Sequence, residues 1–148
     1  MAPLLLRPLR IDETDAAAAI ARRAMRTVPC FQEGLHTPEE DRAFWLSHVF
    51  TACEILGAYA DGRLLGQVAV GQGWVHHLHV DPHWQGRGIG TALLGAVQER
   101  LDDIQLWTFQ ANAGARRFYE RQGFIAVELT DGADNEEKEP DVRYRWLR

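Results

Sequence analysis

The chain has only two cysteines, Cys30 and Cys53, far apart and in no CxxC pattern. That scarcity excludes a disulfide framework and a thiolate metal site, and it suits a reducing cytoplasm. Long apolar runs are missing as well. The opening Met1-Ala2-Pro3-Leu4-Leu5-Leu6 is broken by Arg7 and Arg10, so it reads as a strand and no membrane association is expected. Basic residues are scattered and the net charge is −5, which argues against a phosphate-backbone partner such as nucleic acid. There is no internal repeat and no low-complexity linker; the one compositional shift is the acidic run from Asp131 to Asp141. With 148 residues, 46% hydrophobic and 25% charged, the expectation is a single globular domain over 1–148.

The patterns that are present alternate between the two secondary-structure periods. Leu4 to Arg10 reads as a strand near a sheet edge, because Pro8 cannot donate to a ladder. A helix begins near Asp12 or Thr14, with Ala17, Ile20, Ala21 and Ala24 at helical spacing and Pro29 beyond its end. A second helix starts at Thr37, with Pro38 in the first position and Glu40 completing a capping box, and continues through Phe44, Trp45 and His48. Cys53 to Ala60 and Arg63 to Val70 read as strands joined by Asp61-Gly62, a pair that favours a type I′ hairpin. Gly71-Gln72-Gly73 turns the chain into a third strand, Trp74 to Val80. A helix from Gly88 to Leu101 and a strand from Ile104 to Phe109 follow, which makes this strand and its successor parallel. Asn112 to Gln122 forms a further helix ending at Gly123, and the strands Phe124 to Thr130 and Val142 to Leu147 close a hairpin across the acidic loop. The fold class is therefore α+β: a mixed, mostly antiparallel central sheet with one parallel pair.

Gly86, Gly88 and Gly90 alternate where a strand hands over to a helix. The first turn of a helix presents unpaired N–H groups and the positive end of its dipole, and glycine lets an anion approach them closely. Arg87 and Thr91 add side-chain donors. The spacing fits neither the dinucleotide pattern GxGxxG nor a nucleotide-triphosphate loop.

The surrounding residues carry a resemblance. Leu78-His79-Val80-Asp81-Pro82 followed by Gln85-Gly86-Arg87-Gly88-Ile89-Gly90-Thr91-Ala92-Leu93-Leu94 resembles motif A of the GCN5-related N-acetyltransferases (GNAT). Asn112-Ala113-Gly114-Ala115-Arg116-Arg117-Phe118-Tyr119-Glu120-Arg121-Gln122-Gly123-Phe124 resembles that family's motif B, and the order of elements agrees over nearly the whole chain. The resemblance implies acetyl-coenzyme A as co-substrate. Main-chain groups of the Leu78-His79-Val80 segment would pair with the pantetheine arm, which lies like an added strand between two splayed strands. Gln85, Gly86, Arg87, Gly88, Ile89, Gly90 and Thr91 would hold the pyrophosphate. Asn112 would bond the cofactor arm, Tyr119 would stand near the sulfur, and a bulge in the strand carrying Leu78 would free an N–H for the oxyanion.

Acetyl transfer from a thioester to an amine needs a neutral amine, oxyanion donors and a proton for the departing thiolate. Tyr119 is the candidate proton donor. His77 and Glu54 are the candidate bases, with His76 and His79 also possible, since imidazole titrates near neutrality. In a regular strand His76 shares a side with Leu78 and Val80. His76, His77, His79 and His83 also invite a metal reading, but no carboxylate or thiolate stands at motif spacing and none is expected to bind. The acidic loop and the segment with Phe31, Gln32 and His36 are expected to wall the acceptor site, while Trp74 and Trp107 are expected in the core. The expected acceptor is a primary amine of a small molecule or peptide, and a homodimer fits the family. A non-catalytic acetyl-coenzyme A sensor and a histidine metal-binding domain are the competing functions.

Overall fold

A computed structural model describes residues 2–148. Seven strands form one sheet in the order β1-β2-β3-β4-β5-β7-β6. The edge strand β1 (Leu5–Pro8) is shorter than its apolar pattern suggests, ends at the proline, and pairs antiparallel with β2 (Glu54–Ala60). β3 (Arg63–Gly71) and β4 (Trp74–Val80) complete an antiparallel meander. The turn between β2 and β3 has φ of 52° at Asp61 and 76° at Gly62, the left-handed pair that a type I′ hairpin requires. β5 (Asp103–Phe109) runs parallel to β4, and β7 (Asp141–Leu147) inserts antiparallel between β5 and β6 (Ile125–Thr130). The sheet is mixed and mostly antiparallel, with β4 and β5 as its parallel pair.

Two apolar layers flank it. On one face α1 (Thr14–Met25) and the helical segment after it pack Ala17, Ala18, Ile20, Trp45 and Val49 against Ile55, Tyr59, Leu64 and Ala69. Small residues along α1 let helix and strands approach closely. On the other face α4 (Ile89–Arg100) and α5 (Ala113–Arg121) bury Ile89, Leu93, Leu94, Val97 and Tyr119 against Leu65, Val68, Val75, Ile104, Leu106, Val142 and Tyr144. Strand alternation assigns neighbours such as Leu64 and Leu65 to opposite layers.

The second helix starts where its capping box places it. Thr37 Oγ1 accepts from the Glu40 N–H at 3.1 Å, and the Glu40 carboxylate accepts from the Thr37 N–H at 2.8 Å. Beyond α2 (Pro38–Phe44) the chain passes through a π-helical turn, Trp45–Val49, and a last turn, α3 (Phe50–Ala52). The wider turn turns Trp45 inward, where it is buried beside His77.

Candidate active site

β4 and β5 meet at a single register, Trp74 opposite Gln105, with the Gln105 N–H donating to Gly73 O at 3.0 Å. Beyond that point the strands splay. The Asp81 N–H donates to Leu65 O on β3 at 2.8 Å, so alternation turns the main-chain groups of Val80 and Leu78 toward β5, where no strand meets them. One of these groups, the Val80 carbonyl, accepts from Gln85 Nε2 at 3.1 Å. The side chain of Gln85 is thereby committed to the strand end, and what it offers a ligand is its N–H.

Asp81 anchors the loop that follows. It is buried, accepts from Arg23 at 2.9 Å and from the His83 N–H at 3.1 Å. Burial raises its pKa, but the bonds from Arg23 and the His83 N–H outweigh that and hold it below the ordinary value. The chain then enters α4 through Gly86 at φ 77° and Gly88 at φ 82°, a left-handed conformation that side chains rarely adopt. A Cβ at either would meet nothing within 4 Å: the space outside is open and the constraint is conformational. Among the described residues, none accepts from the N–H groups of residues 85–91, and the first bond of the turn comes from Ala92 to Gly88 O. Gly90 instead faces Phe118 of α5, 3.4 Å from where its Cβ would lie. The Arg87 guanidinium stacks 4.8 Å over Trp84, which holds a cation beside the row of free donors. Thr91 Oγ1 accepts from Gln122 at 3.5 Å.

This loop opens into a cleft of about 1630 Å³ that follows the gap between the parallel strands. Tyr119 lines it from α5 and is 8% exposed. Its hydroxyl has no hydrogen-bond partner among the described residues, and burial pushes its pKa above the ordinary phenol range. It is a protonated donor at neutral pH. Asn112 also lines the cleft, while its side-chain oxygen caps α5 by accepting from the Ala115 N–H at 3.2 Å.

The expected bulge is present. Between Ala69 and Val70 the β3–β4 register jumps from His77 to Val75, leaving His76 as the extra residue. His76 therefore does not simply alternate with Leu78 and Val80. Val75, Leu78 and Val80 pack on the α4 side, whereas His77 and His79 stand on the α1 side, their rings 5.8 Å apart and 5.0 and 6.5 Å from Trp45. Burial, followed by the nearness of His76 and His48, pushes His77 down to about 4. Burial, then His77, pushes His79 down to about 3. Both imidazoles are neutral at pH 7.

The far end of the cleft is walled by the two loops expected there, and they touch. Gln32 Nε2 donates to Glu137 O at 2.7 Å, and His36 lies 2.7 Å from Glu136. Arg22 fixes the first loop by bonding Asp41, Glu33 and His36 O. Asp131, Asp134 and Glu137 line the opening with no ion-pair partner among the described residues.

Two expectations fail on position. Glu54 does not line this cleft; it begins β2 beside a separate crevice and pairs with Arg100 at 2.6 Å. Trp107 is not core: it is 42% exposed and lines the cleft, because no helix covers that face of β5. Sequence reading also passed over three residues, Trp84, the Arg23 partner of Asp81, and Gln67. The last left a signal, since a lone polar residue in the apolar run Leu64-Leu65-Gly66-Gln67-Val68-Ala69-Val70 must find a buried partner. Among the described residues, no group of three or more His, Cys, Asp or Glu is placed to hold a metal ion, and no helix is long and apolar enough to cross a membrane.

Comparison with known proteins shows the family and the fold. The model of the acetyltransferase (GNAT) family matches residues 20–124. A mycothiol acetyltransferase of Clavibacter michiganensis is 34% identical over 136 residues, covering 83% of this chain and 43% of that protein. The peptidyl-lysine N-acetyltransferase YiaC of Escherichia coli is 41% identical over 69 residues, 46% of this chain and 47% of its own length. The chain thus spans less than half the length of these curated relatives. The PaiA N-acetyltransferase of Thermoplasma acidophilum, solved in complex with coenzyme A, superposes with a TM-score of 0.74 at 19% identity, covering 99% of both chains. The chain belongs to the GNAT acetyltransferase family.

Proposed function

We propose that this protein transfers an acetyl group from acetyl-coenzyme A to a primary amine of a small molecule or peptide, by direct attack in a ternary complex. The observation that carries the reading is the continuity of one cleft. The unpaired edge of β4 at Leu78 and Val80 leads directly to the free N–H groups of residues 85–91. An extended amide-bearing arm matches the first feature and a diphosphate matches the second. The coenzyme A held by the Thermoplasma relative supports the same ligand class.

In this arrangement the substrate thioester lies between the edge of β4 and α5. The Leu78 N–H, facing away from β3, is the donor for the developing oxyanion. His77 does not titrate near neutrality as its residue type suggests: burial pushes its pKa down to about 4, so it is neutral but a weak base, suited to taking a proton only from a nitrogen already made acidic by attack on the thioester. Tyr119, protonated and without a protein partner, donates to the leaving thiolate. One proton leaves nitrogen and one reaches sulfur, so the reaction is balanced once phenolate and imidazolium neutralise each other through solvent. Glu54 is left out because it stands off the cleft.

The acceptor end supports an amine in two ways. Carboxylates without cationic partners, Asp131, Asp134 and Glu137, line it and attract an ammonium group before it deprotonates to react. The named substrate of the Escherichia coli relative, peptidyl lysine, is itself a primary amine. The test is thermal unfolding with acetyl-coenzyme A, followed by turnover on a panel of diamines, polyamines and lysyl peptides. A rise in melting temperature with transfer to at least one class bears the proposal out. A flat titration at millimolar ligand overturns it, and binding without transfer to any amine leaves only a cofactor-binding module.

A further inference from the structure

Among the described residues, one buried polar atom without a partner lies behind the cleft. Gln67, in the middle of β3, is 0% exposed. Its Nε2 donates to Ala17 O of α1 at 2.9 Å, and its Oε1 is the single buried side-chain oxygen or nitrogen with no partner among the described residues. Rotating the amide does not help, because it would set Oε1 against the Ala17 carbonyl. The orientation is therefore fixed, and a buried acceptor without a donor is costly enough to require explanation.

The residue directly opposite Gln67 on β4 is His79, on the same face of the sheet. Among the described residues its imidazole has no hydrogen-bond partner, and neither has that of His77, 5.8 Å away between ring centroids. That separation leaves room for one bridging water. The charged and titratable groups around the pair are few. α1 presents Ala17, Ala18 and Ala21 to this layer, and the segment after α2 presents Trp45. His48 and His76 flank His77, and Asp81, two residues beyond His79, is neutralised by Arg23. No carboxylate competes to hold these imidazoles.

We infer that Gln67 is a positioning residue that sets the polarity of a hydrogen-bonded line, Gln67–His79–His77, ending on the cleft. The inference rests on the transferase reading above. Gln67 Oε1 can only accept and has no surface left for a water, so in this line it takes the N–H of His79 directly, which requires the imidazole to turn toward it from the position it holds in this structure. The other nitrogen of His79 is then a lone pair, which accepts through water from the N–H of His77. The remaining nitrogen of His77 is left as a lone pair facing the acceptor. When the attacking nitrogen gives up its proton, a new N–H bond forms at that lone pair, and the positive charge is shared along the line toward the buried carbonyl oxygen. The strand pairing thus specifies the tautomer of a base that no carboxylate orients.

The first test needs no substitution: nitrogen-15 NMR of the imidazoles in the intact protein at neutral pH. Each of His77 and His79 is expected to be a single tautomer, and fast averaging of the two tautomers at His79 overturns the inference. The second test is Gln67→Met, which keeps the volume and removes both polar atoms. Its expected signature is a mixed tautomer at His79 and a fall in kcat of about tenfold, with KM for acetyl-coenzyme A unchanged. A wild-type kcat, or an unchanged His79 tautomer, sinks the proposal. Should that variant fail to fold, His79→Phe retains an aromatic ring beside Trp45; it is expected to lower kcat similarly without altering the melting shift given by acetyl-coenzyme A, and an undiminished kcat overturns the line. If the wild-type protein turns over no amine, the transferase reading fails instead, and the NMR result still decides whether Gln67 orients His79.

Discussion

The two ends of the cleft are built by opposite means. At the glycine-loop end a handful of consecutive residues, 85–91, presents the donors: their backbone conformation leaves the N–H groups free, and Arg23 anchors the loop from outside through Asp81. At the end proposed to take the acceptor, the wall is assembled from segments far apart in the chain, with Gln32 bonding the carbonyl of Glu137 across 105 positions. A site made of local backbone has one answer for a ligand shared by a whole family. A site made from the meeting of distant loops can be altered by changing either loop, which suits the side that selects the acceptor. If that contrast is right, single substitutions should be decisive at the first end and graded at the second.

The largest effect should come from Gly88→Val. The side chain has room, since nothing lies within 4 Å of its Cβ, but φ at 82° disfavours a β-branched residue by about 1–2 kcal/mol. The protein should therefore fold with a modest loss of stability. Acetyl-coenzyme A at a hundredfold excess over Kd should stabilise the native protein by about 2.7 kcal/mol. In the variant that stabilisation should vanish, as read by thermal unfolding with and without ligand. A variant that still binds with native affinity would mean that the free N–H groups are not the grip.

Next is Tyr119→Phe, at the junction of the two ends. Its hydroxyl has no protein partner, so stability should hold within about 0.5 kcal/mol. Loss of the proton donor should lower kcat by about a hundredfold while sparing KM for acetyl-coenzyme A. Equal losses in kcat and cofactor binding would instead assign Tyr119 to holding the arm.

The same contrast explains what was legible in the sequence. Features set by neighbours in the chain could be read from it: the Thr37 capping box, the Asp61-Gly62 turn, the glycine loop, and the order of strands and helices. Features set by the third dimension could not. The spacing of Glu54 says that it belongs to a strand but not that it starts at the end away from the cleft, where Arg100 claims it. The spacing also did not show that His76 is an extra residue in the ladder, between the pairs Ala69–His77 and Val70–Val75. Trp107 has the composition of a core residue, yet no helix lies over its face of β5, so it stays 42% exposed. Gln67 was visible as a polar break in an apolar strand, but its neighbour across the sheet was not.

A third, smaller effect tests the graded end. Asp134→Asn combined with Glu137→Gln removes two carboxylates that line the opening without ion-pair partners. The Gln32 bond goes to the main-chain oxygen of Glu137 and should survive. For a polycationic amine KM should rise about three- to tenfold at low salt, with the difference shrinking as ionic strength increases. KM for acetyl-coenzyme A should not move. A KM change for the cofactor of the same size would show that the two ends are not separately built.

The smallest effect concerns the His36–Glu136 contact, and its sign follows from the direction of the shift. The bond from Glu136 raises the His36 pKa above its ordinary value, so the contact contributes fully below the ordinary histidine pKa of about 6.5. It is lost as pH rises through the raised value. Both side chains are about half exposed, at 44% and 57%, and solvent screening limits the contribution to about 0.5 kcal/mol or less. His36→Gln should therefore lower the melting temperature slightly at about pH 5.5 and not at about pH 9. Because the Gln32–Glu137 bond still joins the two loops, the amine KM should change less than twofold at either pH. A large, pH-dependent rise in that KM would instead make this single ion pair the clasp of the acceptor end, as decisive there as Gly88 is at the other.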